Sequence, residues 1–311
     1  MRKNGTNCAS SSRRAKKRTD NMASKDKPLF AFFGTPVFSV HVLNALEARG
    51  FLPALIITAP DKPRGRGQEM SPSPAKAWAL ERDIEVLEPA SLKGGALAPE
   101  LGNTEWDVFI VAAYGKLIPK ELLEAPRCGV LNVHPSLLPK FRGPSPIVSV
   151  ILADERETGV SILKLSEAMD AGPVIAQARI EIEETEWPLP NETLGELLFT
   201  EGGNLLAEIL PDWCKGKLPA EPQDESRATY TKKFSDEDAL VELSADARKN
   251  MLKIRAFDKN PRAHFFAQAR DGRTIRVGIA DAKLENDALM LTRVIPEGKK
   301  EMPYADFMRG L

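Results

Sequence analysis

Two polar side chains stand close together in an otherwise apolar stretch of the sequence. Asn132 and His134 are separated by one valine within LNVHPSLLPKFRGPSPI, residues 131–147. Because the side chains of a strand alternate between its two faces, a strand here directs the carboxamide and the imidazole to the same side. Such a pair can polarise a carbonyl oxygen and move a proton. The pattern Asn-x-His also occurs by chance, and a single histidine in an apolar strand is commonly a structural residue.

A carboxylate is the third candidate for this chemistry. Asp170 lies in a glycine-containing turn, EAMDAGPVIAQ at residues 167–177, directly before an apolar segment. An aspartate in such a turn often serves the turn alone. If the sheet brings it to the same edge, it can orient the imidazole or accept a proton. The hypothesis therefore predicts that the three side chains meet beside a cavity.

The elements that must position these side chains alternate along the N-terminal two thirds of the chain. Continuously apolar strands followed by helices are typical of a parallel sheet covered on both faces, so we predict an α/β, Rossmann-like fold with a mostly parallel sheet. Pro135 ends the last central strand, which places Asn132 and His134 at its carboxyl end, where open α/β sheets hold ligands. The strands are predicted at residues 29–34, 52–58, 84–87, 107–113 and 129–133, and the helices at 36–49, 74–82, near 96–102 and near 119–124.

The rest of the chain predicts a sheet edge, a long helix and a second domain. A helix from Pro146 to about residue 153 precedes an antiparallel strand pair at 159–165 and 173–182, and an amphipathic helix follows at 192–213. We expect four parts: a disordered basic extension, the catalytic domain, a polar linker with prolines, and a smaller OB-like β-barrel domain. They comprise residues 1–27, 28–214, 215–232 and 233–311.

Composition and charge narrow the class of protein. Lys and Arg (43) nearly balance Asp and Glu (44), and no apolar run reaches the length of a membrane span. The basic segment 1–27 lacks the apolar core of a secretory signal, so we expect a cytoplasmic protein of bacterial type, with organellar import as the alternative. Cysteines without short spacings predict reduced thiols and neither a disulfide scaffold nor a metal site. They are Cys8, Cys128 and Cys214.

Four motifs in order give the chain a family resemblance. NVHPSLLPKFRGPSP followed by MDAGPV resembles the formyltransferases that use 10-formyl-tetrahydrofolate, and FFGTPVFSV with APDKPRGRGQEMSPSPAK is similar more narrowly to methionyl-tRNA formyltransferases. The similarity covers about residues 28–311. It implies transfer of the formyl group to the α-amino group of initiator methionyl-tRNA. In that reaction Asn132 and a protonated or hydrogen-bonded His134 would stabilise the oxyanion, while Asp170 orients the imidazole and accepts the amine's proton, directly or through water.

The same resemblance implies where the two substrates bind. The folate is expected beside the strand end IVAAYGKLI and the loop after His134, and the tRNA on the arginine-bearing loop at 59–76. From composition alone, Leu137 and Leu138 are equally well explained as core residues. The charged loop at 59–76 is equally well explained as a loop exposed to solvent. A monomer without a metal or a membrane partner is expected. The folate residues are Ile110, Tyr114, Ser136, Leu137, Leu138 and Pro139, and the tRNA residues are Lys62, Arg64 and Arg66.

The C-terminal domain departs from the family pattern, and other functions stay open. Arg262-Ala263 stands where the family usually has Trp-Pro, and the chain between TIRVGIA and LMLTRVIPEGKKEM is shorter than usual. A barrel with fewer strands must close differently or stay open. The alternatives are a formyltransferase acting on an amino sugar nucleotide or glycinamide ribonucleotide, a formyl-tetrahydrofolate hydrolase, and a catalytically silent RNA-binding module. The arginine loop argues against the first, and the intact set of amide, imidazole and carboxylate argues against the last.

Overall fold

Strands and helices alternate through the first part of the chain, and strands dominate near its C-terminus. The computed structural model describes residues 27–64, 69–92, 101–102 and 104–311. Its strands are β1 (Phe30–Phe33), β2 (Leu55–Ile57), β3 (Lys62–Arg64), β4 (Glu69–Ser71), β5 (Glu85–Leu87), β6 (Val108–Val111), β7 (Val130–His134), β8 (Glu157–Lys164), β9 (Val174–Glu181), β10 (His264–Gln268), β11 (Thr274–Glu285), β12 (Ala288–Pro296) and β13 (Met302–Pro303). Its helices are α1 (Val37–Ala48), α2 (Pro74–Leu80), α3 (Lys120–Leu123), α4 (Pro146–Leu152), α5 (Asn191–Cys214), α6 (Ala247–Ala256) and α7 (Tyr304–Gly310), with 3₁₀ turns at Glu225–Arg227 and Glu237–Ala239.

A seven-stranded sheet in the order β5-β2-β1-β6-β7-β8-β9 forms the centre of the N-terminal domain. The pairs from β5 to β7 are parallel, whereas β8 and β9 run antiparallel to their neighbours. Alternate residues of β1 enter two separate apolar cores, one on each face, which is why the strand is apolar throughout. The predicted mostly parallel α/β sheet is confirmed, and so is the antiparallel pair at its far side. The helix predicted near 96–102 and the extension at 1–27 lie largely outside the described residues.

The long helix α5 supports the strand that carries Asn132 and His134. It packs against α1, β7 and β8. Two successive glycines allow this close approach. A β-carbon built at Gly202 would lie 2.4 Å from a methyl carbon of Val133 on β7, and one built at Gly203 would lie 2.7 Å from Ala45 Cβ on α1. Any side chain there has to push the helix away from the sheet or from α1.

Gly203→Val should therefore destabilise the protein. The new side chain meets Ala45 Cβ and, at 3.0 Å from its β-carbon, the main-chain Cα of Val42, which cannot move aside as a flexible side chain would. Overpacking of this kind costs about 1–3 kcal/mol. Urea unfolding should give a free energy of unfolding lowered by that amount and a lower midpoint, while the control Glu208→Ala, an exposed position on the same helix, stays close to the wild type. An unchanged midpoint for Gly203→Val would contradict the tight packing of α1 on α5.

The C-terminal domain is built on an antiparallel sheet in the order β10-β11-β12-β13. Among the described residues, β10 and β13 do not pair with each other, so these strands form an open sheet and do not close into a barrel. The predicted shortening of this domain thus corresponds to a sheet of four strands. Helix α6 packs on α4 of the first domain, and Asp258 accepts the N–H of Glu192 at 2.9 Å at the beginning of α5. No described helix combines the length and the apolar character needed to cross a membrane.

Two cysteines that are far apart in the sequence lie together in the fold. Cys128 precedes β7 and Cys214 ends α5, and the Cys128 thiol donates to the Cys214 carbonyl at 3.7 Å. Both thiols are free. Burial raises the pKa of Cys214, so this thiol is held in its neutral, unreactive form. Cys8 lies outside the described residues.

Candidate active site

The site begins at the carboxyl end of β7. This strand runs parallel to β6 and antiparallel to β8, with Asn132 opposite Leu163 and His134 opposite Ser161. It ends at His134, directly before Pro135, as the sequence predicts. Asn132 is half-buried, and only 3% of His134 is exposed. The carboxamide and the imidazole thus emerge on the same side of the sheet edge.

Asp170 reaches the same point from the loop between β8 and β9. Its main chain has a φ of +50°, a left-handed conformation that Asp adopts more readily than most residues. Oδ1 accepts a long hydrogen bond from Asn132 Nδ2 at 3.5 Å, and Oδ2 lies 3.8 Å from His134 Nδ1. Oδ2 also accepts the N–H of Gly143 at 2.8 Å. The structure therefore brings together the three side chains that the sequence analysis singled out.

The hydrogen bonds of His134 define its tautomer. Nε2 lies 3.0 Å from the carbonyl oxygen of Phe141, and a carbonyl only accepts, so Nε2 carries the proton. Burial lowers the pKa of His134, against the opposing effects of the Asp170 charge and the Phe141 carbonyl. The imidazole is then neutral, with the lone pair of Nδ1 directed towards the side of Asp170. This arrangement is suited to taking up a proton, because the carboxylate stabilises the imidazolium that forms.

The stability of the fold should depend on pH through His134. A histidine whose pKa is lower in the folded protein than in the unfolded chain binds fewer protons when folded. Its contribution to stability is complete above the ordinary pKa of about 6.5 and is lost as the pH falls below it, with a slope of up to about 1.4 kcal/mol per pH unit. Between about pH 7 and pH 5, the free energy of unfolding in urea should therefore decrease less in His134→Asn than in the wild type.

The comparison isolates His134 because every other ionisable side chain is present in both proteins. Equal slopes for the two proteins would contradict a buried, neutral imidazole. A steeper decrease in His134→Asn would give the opposite sign and would mean that the folded protein binds the proton more tightly than the unfolded chain does.

Hydrogen bonds to buried groups fix the conformation of the loop after His134. Ser136 is fully buried and its hydroxyl donates to the Lys140 carbonyl at 2.7 Å, while the N–H of Leu138 donates to Ser161 Oγ at 3.0 Å. Ser136 therefore holds the loop through its side chain and Leu138 through its main chain, and both side chains are buried. Leu137 and Pro139 are half-buried and keep part of their surface accessible. Of the four residues predicted here for folate, these two offer their side chains to a ligand.

Ile110 and Tyr114 occupy different surroundings. Ile110 is fully buried, and its main chain lies between β1 and β7 in the sheet. A ligand contact from this segment therefore has to come from the residues beyond β6, and the folate prediction shifts away from Ile110. Tyr114, in that loop, is 5% exposed, and burial raises its pKa to about 12. Its hydroxyl has no hydrogen-bond partner among the described residues.

The arginine-bearing loop forms a short hairpin whose tip lies outside the described residues. Strands β3 and β4 pair antiparallel, with Lys62 exposed in β3 and Arg64 at its end. Arg66 belongs to residues 65–68, which the structure does not describe. At the base of the hairpin, Lys76 Nζ pairs with Asp61 at 2.8 Å and with Glu88 at 2.7 Å. Lys76 is therefore engaged inside the fold, whereas Lys62 faces solvent.

The groups that hold Asp170 in place were not predicted from the sequence. Beyond the Gly143 N–H, Gln223 donates to the main-chain carbonyls of Asp170 and Gly172, at 2.7 Å each. Arg142, which lies inside the quoted KFRGPSP motif, is fully buried. The motif was a signal for Arg142, but nothing in a polar segment with prolines singled out Gln223. Across the described residues, no group of His, Cys, Asp and Glu side chains is arranged to hold a metal ion.

Comparisons with known proteins identify the family. Residues 27–206 match the family model described as formyl transferase. A methionyl-tRNA formyltransferase of Chloroflexus aggregans is 36% identical over 303 residues, covering 90% of this chain and 96% of that protein. One of Thermus thermophilus is 38% identical over 301 residues, covering 90% and 95%. The fold is shared with the N-formyltransferase of Helicobacter canadensis in complex with folinic acid and dTDP-3-aminofucose, with a TM-score of 0.59, 18% identity and coverage of 83% and 88%. The chain belongs to the formyl transferase family.

Proposed function

We propose that this protein transfers the formyl group of 10-formyl-tetrahydrofolate to the α-amino group of initiator methionyl-tRNA, giving N-formylmethionyl-tRNA. The observation that carries the proposal is the meeting of Asn132, His134 and Asp170 at one point of the sheet edge. Membership of the formyl transferase family supports the reaction type. Curated relatives that are 36% and 38% identical along nearly their whole length carry the name of the methionyl-tRNA enzyme, which supports this acceptor.

Each of the three side chains has a separate task in this reaction. The amine attacks the formyl carbon, a C–N bond forms, and the carbonyl oxygen becomes an oxyanion that Asn132 Nδ2 stabilises by a hydrogen bond. His134 Nδ1 takes the proton that the amine loses, while the carboxylate of Asp170 stabilises the resulting imidazolium. His134 then returns this proton to N10 of the folate as the old C–N bond breaks. The proton lost by the amine is thus the one that tetrahydrofolate gains, and no covalent enzyme intermediate is needed.

The proposal includes a binding surface for each substrate. We assign the folate to the loop beyond β6 and to the accessible sides of Leu137 and Pro139. We assign the tRNA to Lys62 and Arg64 of the β3–β4 hairpin and to Arg66, which lies outside the described residues, because cationic groups meet the phosphates of the acceptor stem. We further propose that the protein acts in the cytoplasm as a monomer.

One assay distinguishes this function from its alternatives. Purified protein receives folate labelled in the formyl group and, in separate reactions, methionyl-tRNA, an amino sugar nucleotide, glycinamide ribonucleotide, or buffer alone. Label transferred only to methionyl-tRNA is the expected result. Label on either small acceptor would contradict the proposed substrate, and rapid release of formate in buffer alone would identify a hydrolase. Retention of all label on the folate would contradict formyl transfer itself.

A further inference from the structure

The segment after α5 crosses the catalytic domain before the chain enters the C-terminal domain. We call residues 221–231 the strap. At one end, Glu221 and Val174 exchange two main-chain hydrogen bonds of 2.8 Å each. Near the other end, Arg142 pairs with Tyr230 in a parallel bridge, and its N–H donates to the Thr229 carbonyl at 2.9 Å. The strap is thus attached both to the loop that follows His134 and to the first residue of β9, directly after the loop that carries Asp170.

Gln223 joins these two loops through a single amide. Its Nε2 donates to the carbonyl oxygens of Asp170 and Gly172, at 2.7 Å each. Its Oε1 accepts from Nε of Arg142 at 2.9 Å. Both N–H groups and the oxygen of the amide are therefore engaged, which fixes its orientation. Because Arg142 stands next to Gly143, whose N–H binds the Asp170 carboxylate, the contacts around Asp170 form a closed ring.

The loop that carries Asp170 needs this support. The preceding residues 166–169 are exposed to solvent, and Asp170 itself has a left-handed main chain that costs about 1 kcal/mol in a residue with a side chain. Gly172 has no room for a side chain, because a β-carbon built there would lie 1.9 Å from the Lys164 carbonyl oxygen. The conformation is therefore maintained by neighbours, and Gln223 bonds to the two carbonyls on either side of Ala171.

Arg142 holds the other side of Gln223 rigidly. Its guanidinium is fully buried and donates to both carboxylate oxygens of Glu225, at 2.9 and 2.7 Å, and to the hydroxyl of Tyr230 at 2.9 Å. Bidentate pairing of this kind is geometrically specific as well as strong. Three side chains of the strap thus surround one buried charge. The amide of Gln223 is thereby presented to Asp170 from a fixed frame.

We infer that Gln223 is a positioning residue for formyl transfer: its amide holds the main chain of Asp170 so that the carboxylate faces His134 Nδ1 and Asn132 Nδ2. The inference rests on the proposed function for its effect on turnover, whereas its effect on the Asp170 loop is independent of any activity. Displacement of a catalytic group by about 1 Å can cost about 10²-fold in rate. The strap, which lies between the two domains in the sequence, then contributes to the geometry of the catalytic site.

The test compares two substitutions at Gln223 with a neighbour on the strap. Gln223→Glu keeps an acceptor for Arg142 but replaces the N–H donors by oxygen, and Gln223→Met removes the amide at similar length. Each should lower kcat by about 10–10²-fold and leave KM for both substrates nearly unchanged. The control Asp224→Ala changes an exposed residue whose side chain bonds to Ser226, and it should retain wild-type turnover. Wild-type kcat in both soluble Gln223 variants would overturn the inference.

A double-mutant cycle with Asp170→Asn separates positioning from a general loss of structure. If Gln223 acts through Asp170, Gln223→Glu should cost little further kcat once Asp170→Asn is present. An equal fold loss in both backgrounds would overturn the inference.

Amide hydrogen exchange supplies a readout without turnover. The Gly143 N–H, bonded to Asp170 Oδ2, should exchange faster in Gln223→Glu, whereas the Leu138 N–H, bonded to Ser161, should not change. A wild type that is inactive with every acceptor would contradict the proposed function. In that case hydrogen exchange alone tests the inference, and unchanged protection of the Gly143 N–H in Gln223→Glu overturns it.

Discussion

The Asn132→Ala variant should keep its fold and lose about 10²–10³-fold in kcat for formyl transfer. In the free protein the carboxamide is half-buried, and its hydrogen bond to Asp170 is long, at 3.5 Å, so its removal has little effect on stability. In the transition state the same Nδ2 donates to an oxygen that has gained negative charge, and a preorganised donor is worth most there. The loss therefore appears in kcat, measured at saturating formyl-folate and methionyl-tRNA, and much less in KM.

Two further proteins make this result specific. Asn204→Ala removes the same chemical group from α5 and should turn over like the wild type. Asn132→Asp keeps the shape but replaces the donor by an oxygen, and the repulsion between an added negative charge and the oxyanion should make it at least as slow as the alanine variant. Urea unfolding of each variant checks that the fold persists. Near-normal kcat in Asn132→Ala would remove this residue from the stabilisation of the oxyanion.

Local sequence patterns were sufficient to predict the layered part of the fold. The apolar strand predicted at 29–34 is observed at Phe30–Phe33, and the helix predicted at 192–213 is observed at Asn191–Cys214. A strand is continuously apolar because both of its faces are buried. A helix shows apolar residues at helical spacing because one of its faces is buried. Proline and glycine mark the ends of these elements for reasons of backbone geometry alone. Predictions of this kind require no knowledge of distant contacts.

The hairpin β3–β4 and the strap lacked such a pattern. The hairpin strands, KPR and EMS, have no alternation of apolar and polar residues, and a two-stranded ribbon has no core of its own. The strap lies within residues 215–232, which were interpreted as a linker because that segment is polar and contains prolines. Its order comes from partners such as Arg142, whose bond to Gln223 joins residues 81 positions apart. Polar contacts of this range depend on the finished fold and leave no periodic signal in the sequence.

The three side chains of the candidate site were predictable from the sequence, but the protonation state of His134 was not. The two-residue spacing of Asn132 and His134 directs both side chains to one side, and the turn before an apolar segment singled out Asp170, which the family resemblance then supported. Sequence patterns alone left open whether His134 is protonated or hydrogen-bonded. Its neutral tautomer depends on the Phe141 carbonyl, which the loop after β7 turns towards Nε2. The structure thus favours His134 as the proton acceptor and Asp170 as the group that stabilises its charged form.

His134→Ala should be the most damaging of the single substitutions, with kcat lowered by about 10²–10⁴-fold. Without the imidazole, the amine has no nearby base whose charged form is stabilised by a carboxylate. The wild type should also lose kcat as the pH falls, because protonation of Nδ1 removes the base, and burial moves this decline below the ordinary pKa range of histidine. In His134→Ala the residual kcat should decline less in that range, because only protonation of the substrate amine remains to lower it. The measurement is kcat against pH at saturating concentrations of both substrates.

The control for this series is His41→Ala, which removes a half-buried imidazole from α1 and should retain both the rate and the pH profile of the wild type. His134→Gln adds a discriminating case, because a carboxamide can donate a hydrogen bond but cannot accept a proton at neutral pH. If His134 acts as a base, the glutamine variant should be nearly as slow as the alanine variant and no more sensitive to acid. If glutamine instead restores most of the rate, then His134 acts by donating a hydrogen bond to the oxyanion, and the proton of the amine must leave by way of Asp170.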